Sequence, residues 1–211
     1  MMGYGMNYEK LKKTKRYSHI GMHSKSNITY AMQYKTAFNI LYESDAPVDT
    51  IALPMMFLMR HYLEVTLKYN IKYFSNFSYS DSMVSRLPNE HKLEPLANAF
   101  REHWGLVVKK YKLKIDDKEY ISHFQDLIKL MNEIDKYSMS FRYSHDKDNT
   151  KHFKWDEVLD IYTLKKLFDK VTPFLDYSME VFYEQTAHIR YEEEMMAEIE
   201  KEWESEMMSH I

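Results

Sequence analysis

The stretch Leu53 to Tyr73, LPMMFLMRHYLEVTLKYNIKY, constrains this chain more than any other. It reads as a helix that is apolar over most of its circumference and carries one narrow polar stripe. At ~100° per residue counted from Arg60, Glu64 falls near ~40°, Lys68 near ~80° and His61 near ~100°, so the four polar residues share a flank. A helix of this kind is buried among other helices, and its charged groups must reach a partner, a cleft or water. Spacing alone leaves two readings open. Either Arg60 and Glu64, one turn apart, pair with each other while Lys68 reaches solvent, or the stripe lines a functional cleft.

The rest of the chain suits a helical surround. It has 211 residues, enough to bury a core, with 45% hydrophobic and 29% charged residues, which sets it apart from disordered sequences. Only four glycines and five prolines are present, too few to punctuate an all-β protein. Cysteine is absent, which excludes disulfides, thiolate nucleophiles and cysteine-held zinc or iron–sulfur centres and fits a cytoplasmic protein. No apolar run approaches ~18 residues, and the basic start lacks a following apolar segment, so neither a membrane span nor secretion is expected. A net charge of −3 argues against a surface that coats nucleic acid at large, while leaving room for a local basic cleft.

Taken in order, residues 1–25 form a basic arm with Lys10, Lys12, Lys13, Lys15 and Arg16. Ser26 caps a first helix to about Glu43, and Pro47 opens the central helix, which runs to about Phe74 with Pro54 inside it as a kink or a displaced start. Ser75 to Pro88 reads as a loop. Asn89 caps a third helix that stops at Gly105, followed by a short extended excursion over Leu106 to Ile115. Asp116 and Glu119 resemble a capping box for a fourth helix through Ile134. Tyr137 to Trp155 breaks the helical rhythm and is the most site-like loop. A fifth helix starts at Asp156 or Asp160 and continues to about Tyr191, with Pro173 as a bend. The last twenty residues, 192–211, carry eight glutamates while setting Met195, Ile199, Trp203 and Met207 four apart. That is an acidic amphipathic helix suited to docking on a partner, on a second copy or back on its own body.

Three pieces in order carry a resemblance: LPMMFLMRHYLEVTLK, NEHKLEPL and IDKYSMSFRYSHDKDN. Together they resemble a bacterial group of HEPN-type domains (higher eukaryotes and prokaryotes nucleotide-binding), whose members show Arg-His-x-x-Glu on an apolar helix, a His-x-Leu-x-x-Leu helix start and a loop led by Phe-Arg-Tyr. Here these are Arg60, His61 and Glu64; His91, Leu93 and Leu96; and Phe141, Arg142 and Tyr143. The resemblance implies an all-α, up-and-down bundle, often a dimer, that is either a metal-independent ribonuclease of toxin or phage-defence type or a relative that kept only the scaffold. In active members an Arg-x(4–6)-His motif supplies the catalytic pair. Histidine handles the 2′-hydroxyl or leaving-group proton and arginine offers a fork of donors to the phosphate. Such cleavage needs no metal or cofactor.

This chain departs from that motif, since only two residues separate Arg142 from His145. Literal matches occur at Arg16/His23 and Arg86/His91, where six arginines and ten histidines produce roughly one by chance, so the pattern carries little weight by itself. A calcium-loop reading of Asp146 to Glu157 fails at Lys151 and Thr150, where a glycine and a ligand belong. The loop histidines His145 and His152 beside aspartates are the ordinary hydrogen-bonding kind, and no metal is assigned.

The expectation is therefore an all-α bundle of about five helices at 26–191, with a basic arm before it and an acidic amphipathic helix after it. The candidate catalytic residues are Arg142, His145 and His61, and the candidate substrate-binding residues are Arg60, Glu64, His91 and Tyr143. Arg142 and Arg60 are assigned to phosphate, His145 or His61 to proton transfer, and Glu64 to orienting an Arg or His. RNA or a nucleotide is the expected ligand, a homodimer the expected assembly, and no membrane is involved. The competing class is a non-enzymatic interaction protein that docks a partner through its C-terminal helix, with Arg60, Glu64 and Arg142 as internal struts.

Overall fold

A computed structural model describes residues 21, 25–135 and 138–209. Apart from Gly21 and Lys25, the predicted basic arm, with Arg16 and His23, lies outside the described residues. The first helix, α1 (Asn27–Tyr42), starts at a reciprocal capping box between Ser26 and Thr29. Helix α2 (Val48–Ser78) follows Pro47, whose missing N–H costs nothing at a helix start. Pro54 neither delays nor ends α2. It sits on the exposed side, and burial from Met55 to Phe74 on the other side carries the helix through. The first residues of the expected loop after Phe74 are thus helical, and Val84–Arg86 adds a short 3-10 turn.

Helix α3 (Leu93–Tyr111) corrects two expectations. Asn89 is not its cap, and it runs through Gly105 to a left-handed Lys112, absorbing most of the predicted extended excursion. Glycine lowers helix propensity by about 1 kcal/mol, but Trp104 and Val107 on either side are buried, and their packing outweighs it. Helix α4 (Lys118–Ile134) lacks the expected capping box; Asp117 instead accepts a hydrogen bond from the Trp104 indole at 2.6 Å. Asp160 caps α5 (Ile161–Gln185) by accepting from the Thr163 N–H. A break at Thr186 then separates α6 (Ala187–Ser209), so the acidic helix starts several residues earlier than expected. The loop before α5 is irregular, with one bridge between His145 and Lys151. Among the described residues no helix is long and apolar enough to cross a membrane.

The helical bundle forms around α2, which packs on α1, α3 and α5, while α4 leans on α3 and α5. Its aromatic floor joins Phe74 to Phe100, Trp104 and Phe182, and Phe38 and Tyr62 to Phe168. Lys35 and Tyr62 both bind the Asp176 carboxylate at 2.6 Å, tying α1 and α2 to α5. From α1 to α5 the directions alternate except at one place. Arg60 lies beside His91, whereas Phe74 lies beside Phe100 and Trp104, so α2 and α3 run the same way and residues 79–92 return along the bundle between them. Helix α4 then runs back, and Asn132 meets Glu94. The start of α3 and the end of α4 therefore arrive together at the polar stripe of α2.

A side chain at Gly105 would meet nothing within 4 Å. Gly105→Ala is expected to stabilise the fold by about 0.4–1 kcal/mol, measured by urea unfolding. A loss of stability would mean that α3 is not continuous there.

Candidate functional site

The stripe on α2 meets both chain segments through one guanidinium. Arg60 is only 5% exposed, and its partners lie inside the protein. One terminal nitrogen reaches Glu64 Oε2 at 2.9 Å, and the other donates to Ser138 Oγ and to the His91 carbonyl. Its Nε lies 2.8 Å from Asp135 Oδ2, an ion pair without the alignment of a hydrogen bond. Asp135 closes α4, where a negative charge opposes the helix dipole, so it needs the cation that Arg60 supplies. Its other oxygen accepts the backbone N–H groups of Met139 and Ser140 at 2.8 and 2.9 Å. Ser138 holds a left-handed backbone (φ 66°) and donates to the His91 carbonyl at 2.7 Å.

Glu64 is the second centre. Besides Arg60 it binds Lys68 Nζ and His91 Nδ1, each at 2.9 Å from Oε1. Lys68 therefore does not simply reach solvent; it completes a chain of charges along the stripe. Burial pushes the Glu64 carboxyl up, but hydrogen bonds from Lys68, His91 and Arg60 outweigh it and leave the group below its usual 4.5. The His91 ring remains largely in solvent.

His61 sits one flank away, half-buried, stacked on Phe57 (5.5 Å, 10°) and meeting the edge of Tyr34 at 4.4 Å. Burial lowers its pKa below the usual 6.5; Glu64 pulls it up, while Arg60, Arg142 and Lys68 push it down further. His61 is therefore a neutral imidazole at pH 7 in a cationic surround.

Arg142 is exposed. Its Nε and Nη2 donate to the Ser138 carbonyl at 3.2 and 2.6 Å, so the same serine that receives Arg60 holds Arg142. The two arginines thus lie on one side of the fold. Tyr143 is exposed beside Arg142, 5.9 Å from ring centre to guanidinium. His145 stays within its own hairpin, with Nδ1 2.9 Å from Ser144 Oγ and the backbone bridged to Lys151. Asp146 spends its carboxylate on the N–H groups of Asp148 and Thr150. Among the described residues no group of three or more His, Asp or Glu comes together to hold a metal ion.

The geometry thus joins Arg60, Glu64 and His91 directly, brings Arg142 in through Ser138, sets His61 within electrostatic reach and leaves His145 apart. Sequence reasoning missed Asp135 and Ser138. The available signal was an aspartate at the end of an amphipathic period, where the dipole disfavours it. No family model, curated protein or solved structure matches the chain.

Two outcomes follow. Arg60→Met strands buried carboxylates and is expected to cost about 3–5 kcal/mol by urea unfolding; a loss under ~1 kcal/mol would show that the network is not structural. Both shifted groups bind more protons unfolded than folded, so stability falls as pH drops: from 6.5 downward through His61, then below 4.5 through Glu64. His61→Gln should flatten the upper part of the melting temperature profile, and an unchanged profile would overturn the assignment.

Proposed function

We propose that this chain binds RNA and cleaves it without a metal at the surface formed by His61, His91 and Arg142 around the Glu64 network. The observation that carries this reading is a half-buried histidine packed on aromatic rings, its pKa held down by burial, near an exposed, backbone-anchored guanidinium. A base and a phosphate clamp are the two things that intramolecular RNA cleavage needs, because the 2′-hydroxyl is the nucleophile.

In this reading His61 takes the 2′-hydroxyl proton, and the 2′-oxygen attacks the adjacent phosphorus. The bond to the 5′-oxygen breaks, and a 2′,3′-cyclic phosphate forms. His91, whose Nδ1 faces Glu64, returns a proton to the departing 5′-oxygen. Arg142 donates to the non-bridging phosphate oxygens, and Tyr143 beside it offers a face for a base. Arg60 is buried and bound to the protein's own groups, and it acts as a positioning residue. His145 has no step. The resemblance to HEPN-type domains points the same way.

A second reading keeps the same network as a strut within a non-enzymatic interaction protein. It is favoured by the burial of Arg60 among internal partners and by the exposed apolar seam of α6.

The test is cleavage of a pool of tRNA and single-stranded RNA in EDTA by the wild type, His61→Ala and Arg142→Ala, each variant confirmed folded by circular dichroism. Cleavage by the wild type that falls ~100-fold or more in both variants supports the ribonuclease. Intact RNA with the wild type overturns it and leaves the interaction protein. Undiminished cleavage by the variants would move the site elsewhere.

A further inference from the structure

Two surfaces remain that the candidate site does not use. The first is α6. Met195, Ile199 and Trp203 fall within about 40° of one line along this helix, with Met196 close beside them. All four are exposed, Trp203 by 71%. Glu198 and Glu202 lie along one side of this strip and Glu200 along the other, all three in solvent. Contiguous exposed side chains of this size mark a contact surface.

The second is a groove of about 810 Å³ between α3 and α4. Its floor is apolar, from Ala97, Phe124 and Ile128, and its rim bears Lys92, Arg101 and Lys129. Glu94 and Glu133 also line it, so the rim carries three cations against two carboxylates. With the Gln125 amide oxygen turned toward it, Arg101 donates at 2.7 and 2.8 Å to this neutral partner, so its charge is uncompensated. An apolar strip flanked by glutamates and an apolar floor whose rim holds an excess of cations are complementary in polarity and in charge.

We infer that α6 of one chain docks in the α3–α4 groove of a second copy, and that the exchange is reciprocal. Within one chain α6 does not occupy the groove. Thr186 caps α5 by donating both its N–H and its hydroxyl to the Phe182 carbonyl, and α6 resumes at Ala187 with no loop that would turn it back. Helix α6 meets α5 at their junction and leaves its seam open. Pairing of two α6 helices with each other would face glutamate rows against glutamate rows, which is disfavoured. Exchange between two copies closes on itself under two-fold symmetry and covers both surfaces at once. This inference is independent of the RNA reading.

The experiment is sedimentation velocity of the full chain across a concentration series, beside Ile199→Asp in the seam, Arg101→Glu in the groove and the double variant Arg101→Glu with Glu202→Lys. Circular dichroism confirms that each is folded. The wild type is expected at twice the chain mass of 25.6 kDa. Each single variant should weaken dimerisation at least ~10-fold, about 1.4 kcal/mol, and the charge swap should recover most of it. A wild type that is monomeric throughout overturns the inference, including the case in which α6 folds onto its own groove. A dimer that responds to Ile199→Asp but not to Arg101→Glu overturns it too, because α6 would then be docking elsewhere.

Discussion

The Arg60 guanidinium holds three separated pieces of chain in one arrangement. It binds Glu64 on its own helix, the His91 carbonyl ahead of α3, and Asp135 with Ser138 after α4. Ahead of α3 the Glu90 carboxylate accepts the His91 and Lys92 N–H groups, and the His91 carbonyl is left for Arg60. Desolvating a guanidinium is costly, and the cost is offset only because carboxylates, a hydroxyl and a carbonyl surround it together. The left-handed turn at Ser138 is stabilised in the same way, by partners on either side of it.

That arrangement carries outward to the surface. Ser138 receives Arg60 through its hydroxyl and Arg142 through its carbonyl, so an exposed cation is anchored on a buried one. Glu64 likewise gathers Lys68 and His91 around a carboxylate that stays charged despite burial. Burial against aromatic rings lowers the His61 pKa most; Glu64 opposes this, and Arg60, Arg142 and Lys68 add to it. The buried network therefore anchors Arg142 through Ser138 and holds the His91 ring at Glu64.

Much of the bundle was legible because its signals are local. The Ser26 cap, the apolar run of α2, the Asp160 cap and the four-residue spacing in α6 each lie within a few residues of one another, and a helix repeats them on one face. Gly105 misled because a local stop signal competed with the burial of Trp104 and Val107, which depends on packing. The supposed capping box at Asp116 misled for a related reason: the neighbouring Asp117 spends its carboxylate on a tryptophan thirteen residues earlier in the chain. The shared direction of α2 and α3 had no signal, since it rests on the course of the returning segment.

For the candidate site, the polar stripe of Arg60, His61, Glu64 and Lys68 was determined by the sequence itself, because 3.6-residue periodicity alone puts these side chains on one flank. Which of them turn inward, and toward what, was decided only by the tertiary structure. Asp135 and Ser138 lie more than seventy positions from Arg60 in the chain and look ordinary there. They matter because a buried cation must find its counter-charges wherever the fold brings them, and here the fold brings the end of α4 to the middle of α2.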